Sequence, residues 1–129
     1  MIHLDANLLI AIVNPRDLHH PIACSVLAKS RSFSASALAW MEAHSRPMDI
    51  IHTQALRHIL SGGIFPVDES TAALAGALFF QTGSNRRTRL DTMIAASAIL
   101  AGAELATVNP GDFKPFVPLG LKLLSMECL

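Results

Sequence analysis

Residues Met1 to Val13 read MIHLDANLLIAIV, and the rest of the chain can be placed by working outward from them. A short apolar run, Met1, Ile2 and Leu4, has the length of a buried strand. Leu8, Leu9, Ile10 and Ile12 follow with the spacing of a helix packed on that strand. Asp5 falls where the strand hands over to the helix. In parallel α/β sheets this edge, beyond the carboxyl ends of the strands, is where ligands bind. A carboxylate caught between apolar segments loses hydration, so it needs a cation or strong donors to stay charged. Asp is also a good N-cap for a helix over Asn7 to Val13, and at this level both readings of Asp5 stand.

The chain has 129 residues, enough for one domain with a proper core and too few for two. Hydrophobic residues make up 51% and charged residues 16%, which excludes a disordered chain. Ten Lys and Arg balance ten Asp and Glu, so nucleic acid would have to be held by local basic surface and not by net charge. The two cysteines, Cys24 and Cys128, lie far apart without a CxxC or Cys/His cluster; this supports reduced thiols and neither zinc nor a disulfide framework. No basic region precedes the first apolar run, and Asp5 interrupts it, which argues against a secretory signal. Apolar stretches such as Thr71 to Phe80 fall short of the roughly 18 residues of a membrane span. The expectation is a soluble cytoplasmic protein.

Strand and helix signals then alternate. Asn14 to Asp17 is a turn by composition, and His20 to Lys29 carries a helical pattern with Ile22, Val26 and Leu27 inward. Ser32 to Ser34 suggests a brief second strand, with Ser34 or Ser36 starting a helix that holds Leu38, Ala39, Trp40, Met41 and Glu42 and ends at Ser45-Arg46-Pro47. A helix from Met48 to Leu60 stops at Ser61-Gly62-Gly63, and Ile64 to Val67 reads as a third strand. Asp68 to Thr71 supplies caps for a helix through Phe80. Gln81 to Arg89 is a polar, basic loop, and the strongly apolar helix Thr92 to Ala101 follows Asp91 and ends at Gly102. Glu104 to Val108 is a fourth strand, Asn109 to Phe113 a turn or short helix, and Leu121 to Ser125 a last strand. Such alternation means a parallel sheet covered on both faces.

The acids sort by setting. Asp17, Asp49, Asp68, Glu69, Glu104 and Glu127 lie in turns, first helical turns or the tail, where carboxylates are ordinarily solvated. Asp5, Glu42, Asp91 and Asp112 fall instead at strand ends or beside apolar helices. The ends of the first and fourth strands can be neighbours at the switch point of a parallel sheet, so all four can converge. Converging carboxylates repel one another and take up protons unless a divalent cation compensates. Oxygen ligands without Cys or His select Mg²⁺ or Mn²⁺, and such a metal suits phosphate chemistry. Each acid also has an ordinary structural role open to it. Asp91 can cap its helix, Asn109, Pro110 and Asp112 can serve as cap, first-turn proline and first-turn acid, and Glu42 can face solvent.

Four pieces together resemble a known family: LDANLLI at Leu4 to Ile10, ALAWMEAHSRP around Glu42, RLDTMIAASAILAGAELAT at Arg89 to Thr107, and TVNPGDF at Thr107 to Phe113. In this order and spacing the chain is similar to PIN domains, and more narrowly to the VapC toxins of VapBC toxin–antitoxin modules. The resemblance covers residues 1–129 as a single PIN domain. It implies a PIN-like α/β/α sandwich with a central parallel sheet of four to five strands, and Mg²⁺- or Mn²⁺-dependent endoribonuclease activity. By position Asp5, Glu42 and Asp91 match the family's metal-binding acids. The fourth position falls on Asn109 or on Asp112, with Asp112 preferred here, and Asn7 matches a polar helper behind the ligands, as Asn109 would if Asp112 ligates.

On that resemblance, metal held by Asp5, Asp91 and Asp112 activates a water that Glu42 orients or deprotonates for in-line attack on an RNA phosphate. Arg86, Arg87 and Arg89 would guide the RNA, with Arg16 or Lys114 as further contacts, although a basic loop is also an ordinary solvated surface. A cognate VapB-like antitoxin and a second copy of the chain are the implied partners, and no membrane is. A catalytically inactive PIN-fold scaffold is the competing reading. A phosphoryl-accepting receiver domain is excluded, because its acidic pair after the first strand, its Asp after the third and its Lys after the fifth are all missing. His19-His20 suits a helix start better than a ligand pair, since adjacent helical residues point apart. Trp40 belongs to the core or to a groove for the antitoxin, and Met48 and Met93 to the core.

Overall fold

The computed structural model describes residues 1–29 and 31–126. Glu127 and Cys128, read above as a tail acid and a reduced thiol, lie outside them. The elements run β1 (Ile2–Leu4), α1 (Ala6–Val13), α2 (His20–Leu27), β2 (Phe33–Ser36), α3 (Ala37–Ala43), α4 (Ile50–Ile59), β3 (Ile64–Phe65), α5 (Glu69–Gln81), α6 (Arg89–Ala101), β4 (Glu104–Ala106), α7 (Pro110–Phe113) and β5 (Lys122–Leu123). 3₁₀ helices cover Arg86–Thr88 and Lys114–Leu119. The strands form one sheet in the order β3-β2-β1-β4-β5, and every pairing is parallel. This is the α/β sandwich with a five-stranded parallel sheet that the alternation predicts.

The strand order places the switch point between β1 and β4. From β1 the chain winds outward through β2 and β3, then returns past β1 to build β4 and β5 on its other side. Leu4 pairs with Ala106 at the carboxyl ends of β1 and β4, so the residues just beyond them, Asp5 and Thr107, are brought together. Ile2, Leu4, Leu8, Leu9 and Leu105 are fully buried and anchor this centre. Gly102 ends α6 in the left-handed conformation, at φ 64°, with the Gly102 and Ala103 amides donating to Ile99 and Ala98 carbonyls. At Gly62 a Cβ would stand 2.9 Å from the Phe33 carbonyl oxygen, so the turn into β3 needs a glycine for close approach.

Several boundaries differ from expectation. The second strand extends to Ser36, which also caps α3 by accepting from the Leu38 amide, so Ser34 lies inside the strand. α4 begins at Ile50 because Asp49 takes the extended N-cap conformation, and β3 stops at Phe65, short of Pro66, whose ring offers no amide to a ladder. α6 begins at Arg89, which moves Asp91 into the first turn and removes it as the cap. Ile22 is not inward: α2 leans on α1 through Ala23 and Val26, and Ile22 in its first turn is 37% exposed. Met48 and Met93 are partly buried against the core. His20 binds the Ala11 carbonyl through Nδ1 at 2.7 Å, as befits a helix start.

One buried ionisable group was not anticipated. His3, in the middle of β1, is fully buried; its Nδ1 shares a hydrogen bond with Ser34 Oγ and its Nε2 one with Ser97 Oγ at 3.1 Å. Burial lowers its pKa to about 4, so the ring is neutral. It links β1 to β2 and to α6, beneath the site. Among the described residues no helix is long and apolar enough to cross a membrane.

Candidate active site

Asp5 is built into the switch point. Its backbone amide continues the ladder by donating to the Ala106 carbonyl at 3.0 Å, and its carbonyl accepts from Leu8 and Leu9 as α1 begins. The residue as a whole is 7% exposed. Oδ1 accepts from the Ala6 amide at 2.8 Å, while Oδ2 accepts from Thr107 Oγ1 at 2.8 Å and from Asn7 Nδ2 at 3.3 Å. Asp5 is therefore both the N-cap of α1 and a member of the site. Burial raises its pKa, and the three hydrogen bonds together oppose that rise.

The other acids arrive from three further elements. Glu42 sits near the end of α3, a helix that packs on α1; burial and then the Asp5 charge raise its pKa. Asp91, in the first turn of α6, is pushed up to about 6 by burial and by the charges of Asp5, Asp112 and Glu42, in that order. Asp112 lies in α7, exposed, after Asn109 and Pro110. Asn109 stands at the N-cap position without a side-chain cap bond, and its amide donates instead to Thr107 Oγ1 at 3.1 Å.

All six polar residues singled out at these positions, Asp5, Asn7, Glu42, Asp91, Asn109 and Asp112, line one cleft of about 380 Å³. Asn7 Oδ1 is buried there without a hydrogen-bond partner among the described residues. A buried acceptor left unpaired costs about 1–3 kcal/mol and calls for a donor or a cation. The all-oxygen donor set, the orphaned amide oxygen and the mutual repulsion felt by Asp91 together fit a hard divalent cation of the Mg²⁺ or Mn²⁺ kind. Among the described residues no three His, Cys, Asp or Glu side chains meet closely enough to hold an ion as they stand. The carboxylates ring the cleft without closing on one point.

Three residues of this region escape a reading of the sequence. Thr107 is buried and ties the ends of β1 and β4 through Asp5; the strand ends at Ala106, short of the expected Val108, so the sequence places Thr107 inside the strand and does not mark it. Ser45 and Arg46 also line the cleft. They follow the end of α3, where Ser45 Oγ donates to the Glu42 carbonyl at 2.6 Å, and nothing in their spacing marks them. Arg86, Arg87 and Arg89 are exposed and lie outside the lining of the acid cleft; Arg89 rests on the Phe79 ring, 5.8 Å from its centroid. Trp40 is partly buried against His44, with Arg57 above its ring.

No family model matches the sequence, and no curated protein matches it. Solved structures do match the fold. The structure of FitAcB from Neisseria gonorrhoeae aligns over 100% of both chains at 20% identity with a TM-score of 0.75. VapBC2 from Rickettsia felis, bound to a DNA fragment from their promoter, aligns over 96% of this chain and 98% of its own at 20% identity and a TM-score of 0.65. A toxin–antitoxin complex from Klebsiella pneumoniae aligns over 88% and 91% at 27% identity and a TM-score of 0.69. The fold of this chain is the PIN-like fold of these structures, which meets the expectation drawn from the four motif pieces.

Proposed function

We propose that this PIN-fold chain is the toxin of a type II toxin–antitoxin module and acts as a metal-dependent endoribonuclease. The observation that carries the activity is the convergence of Asp5, Glu42, Asp91 and Asp112 on one cleft at the switch point, with Asp91 raised to about 6 by burial and by the charges of the other three. The likeness to toxin–antitoxin complexes, one of them at 27% identity, supports the toxin role.

Asp5, Asp91 and Asp112, with Glu42, would hold Mg²⁺ or Mn²⁺. A divalent cation bound there supplies Lewis acidity for activating water and for screening charge on phosphoryl oxygens. Glu42 is the general base: its raised pKa suits it to take a proton from water, whose oxygen attacks phosphorus in line while the bond to the departing ribose oxygen breaks. Thr107 fixes the Asp5 carboxylate, and Asn7 Oδ1 presents a further acceptor. The exposed Arg86, Arg87 and Arg89 guide the RNA, a structured one such as tRNA, before it reaches the cleft. Leu18, Ile50, Ile51 and Phe80, each at least 72% exposed, are the apolar surface that a VapB-like antitoxin and a second copy of the chain would cover.

The test is cleavage of a total RNA pool by purified protein with Mg²⁺ or Mn²⁺, beside an EDTA control and an Asp5→Asn variant. Cleavage needing both metal and Asp5 is expected. An intact pool, with folded protein, would favour the non-catalytic scaffold.

A further inference from the structure

Arg46 stands out among the basic side chains. It lines the acid cleft with Asp5, Glu42, Asp91 and Asp112, and it is the one cation in that lining. It also lines the neighbouring cleft with Ile10, Val13, Met48 and His52, so it sits on the ridge between the two. Despite four carboxylates nearby, Arg46 makes no ion pair among the described residues, where Arg31 with Glu104 is the pair that forms. The local chain explains its placement. The Ser45 amide and hydroxyl both donate to the Glu42 carbonyl, closing the end of α3, and Pro47 disfavours a helical backbone at Arg46. The guanidinium is thereby carried on a short, non-helical link four residues beyond Glu42.

An RNA strand entering a ring of carboxylates is repelled by them, even with a bound cation, unless a protein cation meets its backbone at the rim. A guanidinium is suited to this, since its planar fork pairs with two phosphate oxygens at once. We infer that Arg46 is the residue that anchors a backbone phosphate of the RNA at the lip of the acid cleft, next to the bond to be cut, and so sets the strand across the ridge into the neighbouring cleft. The inference rests on the nuclease reading above. It gives Arg46 a role distinct from that of Arg86, Arg87 and Arg89, which are not part of the cleft lining.

The test is binding of a labelled RNA hairpin with a single-stranded loop in Mg²⁺, followed by fluorescence anisotropy over a series of salt concentrations. It is run in an Asp5→Asn background that leaves the RNA uncut, with Arg46→Ala, Arg46→Lys and Lys122→Ala added. Lys122, exposed and paired in register with Glu104, lies at the opposite end of the sheet and serves as the control. Arg46→Ala is expected to weaken binding about tenfold and to reduce the slope of log K against log salt by roughly 0.7, the release from one single-strand phosphate contact. Arg46→Lys should keep the slope while binding more weakly, and Lys122→Ala should match the parent. Melting curves confirm that each variant is folded. A parent that binds RNA while Arg46→Ala matches it in affinity and slope overturns the inference and leaves the nuclease reading standing. A parent that binds no RNA overturns both.

Discussion

Thr107 Oγ1 donates to Asp5 Oδ2 across 2.8 Å, joining the last residue of one strand's path to that of its neighbour over 102 positions of sequence. The hydroxyl also accepts from the Asn109 amide, so one side chain orients Asp5 and the start of α7, which carries Asp112. Thr107→Val keeps the shape and removes both bonds. Loss of an orienting partner behind a ligand lowers activity about 10–100-fold; Asp5 Oδ2 keeps only the longer bond from Asn7 Nδ2 at 3.3 Å, and a hydrogen bond lost from a carboxylate costs about 1.5–3 kcal/mol. Thr107→Ser should retain most of both. RNA cleavage rates and urea melts of the two variants check this.

Glu42 is assigned to the proton and not to holding the strand. Glu42→Gln should therefore lower the cleavage rate about 10²–10⁴-fold. RNA affinity by anisotropy should stay close to that of wild type. A matching collapse of affinity would place Glu42 in binding instead.

The site acids oppose folding when no cation is present. Asp91 is held at about 6 against an ordinary 3.8, so the folded chain keeps a proton that the unfolded chain has released. Stability conferred by this group is present below 3.8 and is lost as pH rises through 6. Asp91→Asn should then raise the melting temperature of metal-free protein at pH 7.5 and reduce the further rise produced by Mg²⁺. Thermal scans with EDTA and with Mg²⁺ test both.

His3 has the opposite sign. Its pKa of about 4 lies below the ordinary value near 6.5, so the unfolded chain takes up a proton that the buried ring refuses. Its contribution is complete above 6.5 and is lost as pH falls towards 4, by about 3 kcal/mol in all. His3→Gln should flatten the fall in stability between those limits, measured by denaturant melts in EDTA at successive pH values. A slope equal to that of wild type would show that His3 is not the titrating group.

Much of this was legible in the sequence because it is local. Asp5 after three strand residues, Gly102 after an apolar helix and the alternation of runs need no knowledge of distant contacts. The four acids could be gathered because parallel topology places the ends of β1 and β4 side by side whatever the side chains are. Thr107, Arg46 and His3 lacked such a signal. His3 is satisfied by Ser34 and Ser97, 31 and 94 residues away, and an isolated His in a strand gives no hint of either. Arg46 joins the acids only because α3 packs on α1. Ile22 was misplaced because helical periodicity cannot say how far an edge helix is covered.

The most direct measurement on the central claim is the chemistry of the RNA ends left by wild-type protein in Mg²⁺. If the acid cleft directs water at phosphorus, the ends carry a phosphate monoester and a free hydroxyl, a 2′-deoxy substitution at the cut site is tolerated, and EDTA or Asp5→Asn removes the products. Ends bearing a 2′,3′-cyclic phosphate, formed in the presence of EDTA as well, would contradict it.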